Sequence, residues 1–304
     1  MKPIAPHNGK IAIETRNLTK KFGRQAAVDD LTLSVPTGSV FAFLGRNGAG
    51  KTITIRMLMN LLDATSGDAR VLGMDCGRDS FEIRKRIGYV GENQRMYDWM
   101  TTRQIMWFCK GFRAGWNDEF ASDLQKKLDL PDQKKIGAMS RGMQAKLALL
   151  LAMAFRPEVL ILDEPTTGLD VIVRRDFLEG VIELMHEEGR TIFFSSHLVH
   201  EVERVADWVG IIDRGRLIWC STLDELKSSV KQIVVTFDTP PESFSAIPGV
   251  LKVESMARQS TITVRDYSES TFAAAMSLGP KHIQVDDLGL EDIFVKLVGN
   301  EGGE

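Results

Sequence analysis

Apolar positions along the chain recur with two periods, and the switching between them predicts strands that alternate with helices. Ile11 to Glu14 and Leu31 to Val35 alternate apolar and polar side chains, as half-exposed strands do. Val40 to Leu44, Val159 to Leu162 and Thr191 to Ser196 read instead as strands buried on both faces. Shorter strand-like runs lie at Ala69 to Leu72, Trp208 to Ile212 and Leu217 to Cys220, and helical periodicity covers Ile53 to Asn60, Phe81 to Ile87 and Val171 to Glu188. This alternation predicts an α/β domain, residues 1–228.

After Ser228 the pattern changes. Gln232 to Phe237 reads as a strand, followed by Pro240-Pro241 and a short helix, then by a hairpin of Val250 to Met256 with Thr261 to Val264. A helix at Glu269 to Leu278, a strand at His282 to Val285 and a helix at Leu290 to Val298 complete the order of a split βαβ plait with a terminal helix. Residues 229–304 are therefore expected to form a small α+β accessory domain, with Glu301 to Glu304 as a frayed tail. The chain shows no internal repeat.

Chemistry enters where buried strands end. Val40 to Leu44 runs into Gly45-Arg46-Asn47-Gly48-Ala49-Gly50-Lys51-Thr52, a match to the phosphate-loop pattern GxxxxGK[ST]. Its glycines let successive backbone N–H groups turn toward a polyphosphate, and the helix beginning near Ile53 adds its positive end. Lys51 would bridge the outer phosphates and Thr52 would offer its hydroxyl to magnesium. Val159 to Leu162 delivers Asp163 and Glu164 at the carboxyl tip of its strand, where doubly wound sheets bind ligands. A carboxylate pair there can divide the labour, Asp163 holding hydrated magnesium and Glu164 polarising a water. His197 follows the strand ending at Ser196 and is either a group facing the same crevice or a capping histidine.

Two aromatic features have two readings each. Phe22, in Lys20-Lys21-Phe22-Gly23, is a core aromatic or an exposed stacking platform, and position alone favours the core. Met96 to Phe112, with Tyr97, Trp99, Met100, Met106, Trp107 and Phe108, is the core of a small helical subdomain or the lining of a groove for a partner's helix.

Charge and composition narrow the function. Lys plus Arg number 38 against 41 Asp plus Glu, a net charge of −3, which argues against a general nucleic-acid binder. Cys76, Cys109 and Cys220 are odd in number and lack metal spacing, so they read as free thiols in a reducing compartment. The amino-terminal MKPIAPHNGK has no apolar run of a secretory signal, and the longest apolar run, Leu147 to Phe155, falls far short of the roughly 20 residues that span a bilayer. A soluble chain is expected, reaching any membrane through a partner.

The phosphate loop at Gly45, the segment Ser140-Arg141-Gly142-Met143-Gln144 opening a helix, the Asp163-Glu164 pair and His197, in that order, make residues 10 to 228 resemble the ATP-binding cassette (ABC) subunits of membrane transporters. The resemblance implies a phosphate-loop NTPase cassette with an antiparallel β subdomain and a helical subdomain at about residues 95–157. It implies ATP and Mg2+ as ligands, Phe22 stacking on adenine, and Ser140, Gly142 and Gln144 reaching the γ-phosphate of an ATP held by a second cassette. Asp170 corresponds to the loop that crosses such a dimer, and His197 to the γ-phosphate sensor. Met139, Arg141 and Met143 depart from the commoner Leu-Ser-Gly-Gly-Gln signature. A magnesium-contacting glutamine is replaced in the alignment by Glu92, with Gln94 two residues later, and Glu92 is the expected ligand.

The same resemblance implies an ATPase working as a homodimer beneath a separate multi-span permease, on the cytoplasmic side of the membrane, in the export direction. Its ending, Leu290-Glu291-Asp292-Ile293-Phe294, is similar to cassettes of bacterial exporters for lipids, polysaccharides, drugs or antibiotic peptides. Two other readings stand beside it: a cassette ATPase acting on ribosomes or DNA, and a regulatory module that binds ATP without turnover.

Overall fold

The computed structural model describes residues 10–92, 94–113, 115–186 and 189–299. The amino-terminal residues 1–9 read for a signal, the tail Glu301 to Glu304 and the last two residues of the helix expected to reach Glu188 lie outside them.

The chain opens with two long strands, β1 (Ile11–Phe22) and β2 (Gln25–Pro36), each 12 residues where the alternation predicted four or five. Their ladder shifts register at several points, including between Thr15 and Leu18, and each shift breaks the period of two that sequence patterning relies on. β3 (Val40–Leu44) is buried throughout and feeds α1 (Lys51–Leu58). β4 (Ser66–Val71) and β5 (Met74–Asp75) follow, then α2 (Ser80–Arg86) and β6 (Ile87–Val90). A helical stretch comes next: α3 (Thr102–Lys110), α4 (Asp118–Lys127), a 3₁₀ turn at Ile136–Ala138 and α5 (Arg141–Met153). β7 (Val159–Asp163), α6 (Val171–His186), β8 (Thr191–Ser196), α7 (Val199–Val205), β9 (Trp208–Asp213) and β10 (Arg216–Thr222) complete the alternation.

Two sheets result. The first has the order β2-β1-β4-β5 and is antiparallel; the second has the order β10-β9-β3-β8-β7-β6, with β9, β3, β8, β7 and β6 in parallel register. Phe41 and Phe43 on β3 pack against Phe193 on β8 with ring centroids 5.6 and 5.5 Å apart. Each is fully buried, contributing about 1.5–3 kcal/mol through apolar surface removed from water. These aromatics anchor the centre of the parallel sheet, so the carboxyl ends of β3, β7 and β8 are held side by side. Cys76 belongs to the same core, and burial pushes its thiol up to about 12, which leaves it protonated and inert.

The segment Met96 to Phe112 divides between its two readings. Met100 and Ile105 are buried, but Tyr97, Trp99, Trp107 and Phe112 are exposed, Trp107 by 76%. Tyr97, Phe108 and Phe112 instead pack ring to ring on the surface, with centroids 5.7 and 5.0 Å apart. α3 begins at a capping box in which Thr101 and Gln104 satisfy each other's backbone amides.

A second compact unit runs from Ser221 to Glu304, its start a few residues before the boundary expected at Ser228. It comprises α8 (Leu223–Ser229), β11 (Lys231–Thr236), β12 (Val250–Met256), β13 (Gln259–Val264), α9 (Glu269–Ser277), β14 (His282–Asp287) and α10 (Leu290–Val298). The sheet order β12-β13-β11-β14, antiparallel throughout, is that of a split plait. The short helix expected after Pro240-Pro241 does not form: residues 237–249 are turns and irregular chain, so one crossover of the plait is a loop.

Candidate active site

The phosphate loop is folded around its own lysine. Lys51 is 5% exposed, and its ammonium donates to the carbonyls of Gly45 at 2.7 Å and Arg46 at 3.2 Å. Gly50 makes this possible: its φ of 110° is closed to L side chains, and an added Cβ would lie 2.6 Å from the Ala27 carbonyl. α1 starts at Lys51, two residues earlier than its periodicity predicted, so its unpaired amides adjoin the loop.

The carboxylates stand opposite. Asp163 is 1% exposed and accepts from Ser195 Oγ at 2.8 Å and Thr52 Oγ1 at 3.1 Å. Burial raises its pKa; the two hydroxyls pull it down, and the charges of Glu164 and Glu92 push it up further. Glu164 sits in the left-handed region at φ 48°, a conformation costing about 1–3 kcal/mol that turns its side chain back over the strand tip. Its Oε1 pairs with Lys51 Nζ at 3.0 Å and its Oε2 with His197 Nδ1 at 2.8 Å. Oε1 nevertheless has no aligned hydrogen-bond donor. A carboxylate only accepts, so Nδ1 of His197 donates and Nε2 is left over. The ends of β3, β7 and β8 thus bring Lys51, Thr52, Asp163, Glu164 and His197 together as the motifs implied.

Ser195 was not singled out from the sequence. It donates to the Asp163 carboxylate while accepting from the Glu164 backbone amide at 2.9 Å, fixing the first side chain and the second residue's main chain from the neighbouring strand. Two serines ending an otherwise apolar buried strand were the available signal.

Most of the remaining expected residues lie at or near the surface. Phe22 is 52% exposed with Lys20 Nζ 5.3 Å from its ring centroid, which overturns the positional preference for core and leaves a free aromatic face. Glu92 is exposed in the turn after β6, near enough for its charge to act on Asp163; Gln94 is exposed as well. Ser140 caps α5 by accepting from the Met143 amide at 3.2 Å. Gln144 spends its amide on the Ile136 carbonyl at 3.1 Å, bracing the loop from within. Asp170 caps α6 through the Val173 amide at 3.0 Å. Gly142 packs so closely that an added Cβ would meet Val173 at 2.7 Å, which brings the two caps together around a cavity of about 240 Å3. Arg46, Asn47 and Gly48 are exposed on the phosphate loop, and Ala49 is buried beneath it.

Two donor sets fit the expected ligands. The glycine loop and buried ammonium suit a polyphosphate, and the Thr52 and Asp163 oxygens, 3.1 Å apart, suit a hard cation. Among the described residues no three His, Cys, Asp or Glu side chains are placed to cage a metal, so such a cation would need oxygens from phosphate and water.

Known proteins support this reading. Residues 28–167 match the profile described as ABC transporter. The bacitracin transport ATP-binding protein BcrA of Bacillus licheniformis is 32% identical over an alignment covering 94% of this chain and 97% of its own. The daunorubicin resistance ATP-binding protein DrrA2 of Streptomyces coeruleorubidus is 33% identical, covering 95% of each. Among solved structures, the ATP-binding subunit of an ABC transporter superposes with a TM-score of 0.64 at 24% identity, over 71% of this chain and 92% of that one. A nucleotide-free ATP-binding cassette gives 0.62 at 21% identity, over 70% and 91%. These two show a shared fold.

Proposed function

The chain belongs to the ABC transporter family as an ATP-binding, ATP-hydrolysing subunit, and from that premise we propose that two copies close on two ATP molecules to drive a separate multi-span permease in the export direction. The observation that carries the catalytic part is Glu164, held between Lys51 and His197 with an undonated oxygen. Lys51 exchanges its pairing with Glu164 for the outer phosphates, and Glu164 Oε1 is then free to orient the attacking water and take its proton. His197, anchored through Nδ1, offers Nε2 to the γ-phosphate. The loop amides and the second copy's Ser140 stabilise charge on the departing phosphate. Thr52 and Asp163 would hold a magnesium ion, with Glu92 reaching it directly or through water, and the ion would supply positive charge against that of the phosphates. Phe22 stacks on adenine.

Among the described residues no helix is long and apolar enough to cross a membrane, which supports a separate permease with this chain at its cytoplasmic side. The exposed aromatics Tyr97, Trp99, Trp107 and Phe112 are the surface we assign to that contact. Export follows from the relatives: one is named for bacitracin transport and another for daunorubicin resistance, and both align over more than nine-tenths of the chain, including the plait. The cargo class this favours is drugs and antibiotic peptides. Nothing in the net charge of −3 favours a ribosome or DNA partner.

The test is to tag Glu164→Gln in its native cell, solubilise membranes in mild detergent with ATP, and identify what copurifies. A stoichiometric multi-span membrane protein is the expected result. Ribosomes or DNA complexes without one would sink the transport reading while leaving the ATPase standing.

A further inference from the structure

Four residues after His197, on α7, lies a buried carboxylate that the hydrolysis scheme does not use. Glu201 is 5% exposed. Its Oε2 accepts from Thr166 Oγ1 at 3.0 Å and from Ser196 Oγ at 3.1 Å, and its Oε1 faces the Arg174 guanidinium at 3.3 Å. Each partner belongs to a different part of the machinery. Thr166 lies in the loop between Glu164 and Asp170. Arg174, on α6, donates from its second nitrogen to the Leu169 carbonyl at 3.0 Å, next to Asp170, whose carboxylate caps the same helix. Ser196 directly precedes His197 and also accepts from the Leu198 amide at 3.0 Å, so its hydroxyl fixes the chain on both sides of the histidine.

Burying a carboxylate costs several kcal/mol unless it is paired and hydrogen-bonded, and networks of this kind pin the elements they join. A side chain fixing the core alone would not need to gather its donors from the loop carrying Asp170 and the strand end carrying His197. We infer that Glu201 is a positioning residue for ATP hydrolysis, holding the Asp170 loop and His197 in register through Thr166, Arg174 and Ser196. It touches no reacting atom and acts through His197 and the 164–170 loop. The inference rests on the reading of this site as the ATPase centre.

The test is steady-state ATP hydrolysis by the full chain, comparing wild type, Glu201→Ala, His197→Ala and the double variant. Glu201→Ala should lower kcat by about ten-fold or more with KM for ATP within about two-fold, because the phosphate loop and Phe22 are untouched. In the His197→Ala background the same change should cost clearly less than it does in wild type, since one of the two elements it positions has lost its working group. A purely structural role would move KM and kcat together and act additively with His197→Ala, and either result, or wild-type kcat in Glu201→Ala, would overturn the inference. Should Glu201→Ala fail to fold, the paired change Thr166→Val with Ser196→Ala removes both hydroxyl donors while keeping the ion pair of Glu201 with Arg174. It should reproduce the kcat loss, and a wild-type rate in that variant would equally overturn the proposal. A wild-type chain that hydrolyses no ATP would overturn the assignment of the whole site, and of Glu201 with it.

Discussion

Around Glu164 the chain closes on itself, whereas around Ser140 it stays open. Lys51, Asp163 and Glu164 are buried, and their polar atoms are held by backbone carbonyls, by the hydroxyls of Ser195 and Thr52, and by His197. Ser140, Arg141 and Asp170 are exposed, and the first and last use their oxygens only to cap their own helices. The buried half is held by the chain's own groups, at a cost in desolvation that is characteristic of functional sites. The open half presents helix amides, an arginine and a cavity of about 240 Å3, and is completed by what it meets. A single protomer on this account holds all the groups needed to bind and orient ATP but lacks the closing wall of the site.

Sharpening that contrast starts with the buried half. Glu164→Gln keeps the volume and the pairing oxygen but loses the proton acceptor, so phosphate release should fall by about 10² to 10⁴ while ATP binding persists. Wild-type turnover in that variant would break the assignment. Phe22→Ala should weaken ATP binding by about 1–3 kcal/mol, or about five-fold to 150-fold by titration calorimetry, with thermal stability unchanged because the ring packs into no core.

Asp163→Asn tests the desolvation cost directly. Burial raises the Asp163 pKa, so at neutral pH the folded state carries an ionised group it would rather protonate, and stability from this group declines as pH rises past the unfolded value. Removing the charge while keeping Oδ1, the one oxygen to which both Ser195 and Thr52 donate, should raise the melting temperature in chelator by a few degrees, about 1 kcal/mol, while abolishing magnesium-dependent turnover. The smallest effect is expected at Glu92: Glu92→Ala should raise the magnesium concentration for half-maximal hydrolysis by about two-fold to five-fold, since the residue is exposed and would only share a cation with Asp163. An unchanged magnesium dependence would shift the assignment to Gln94.

Much of the buried half was legible because its residues sit at fixed offsets from continuous apolar strands: Lys51 after Val40–Leu44, Asp163 and Glu164 after Val159–Leu162, and His197 after Thr191–Ser196. Burial on both faces leaves an unbroken apolar run that ends where the chemistry begins. Less was visible where a contact depends on another strand or on register. Ser195 supports Asp163 across the sheet, and its one local signal, a polar ending to an apolar strand, does not say which residue it meets. Phe22 was misplaced on position alone because the bulges in β1 hide which face each residue takes. The aromatics of 97–112 stayed open between core and partner groove because large apolar side chains carry no mark of whether a partner or their own chain covers them. Nor did the helix expected after Pro240 form, since a proline that opens a helix and one that shapes a loop look alike in sequence.

The most direct measurement is complementation between two inactive variants. Lys51→Met disables the buried half and Ser140→Ala the open half; each variant alone should hydrolyse ATP at a small fraction of the wild-type rate. Mixed in equal amounts, half the dimers would pair one variant with the other, and in each of those one site would combine an intact Lys51 with an intact Ser140. Recovery of roughly a quarter of wild-type activity on mixing is the expected result. If mixing restores nothing beyond the sum of the two variants, while the chains are shown to exchange partners, the two halves do not meet across a dimer and the account is contradicted.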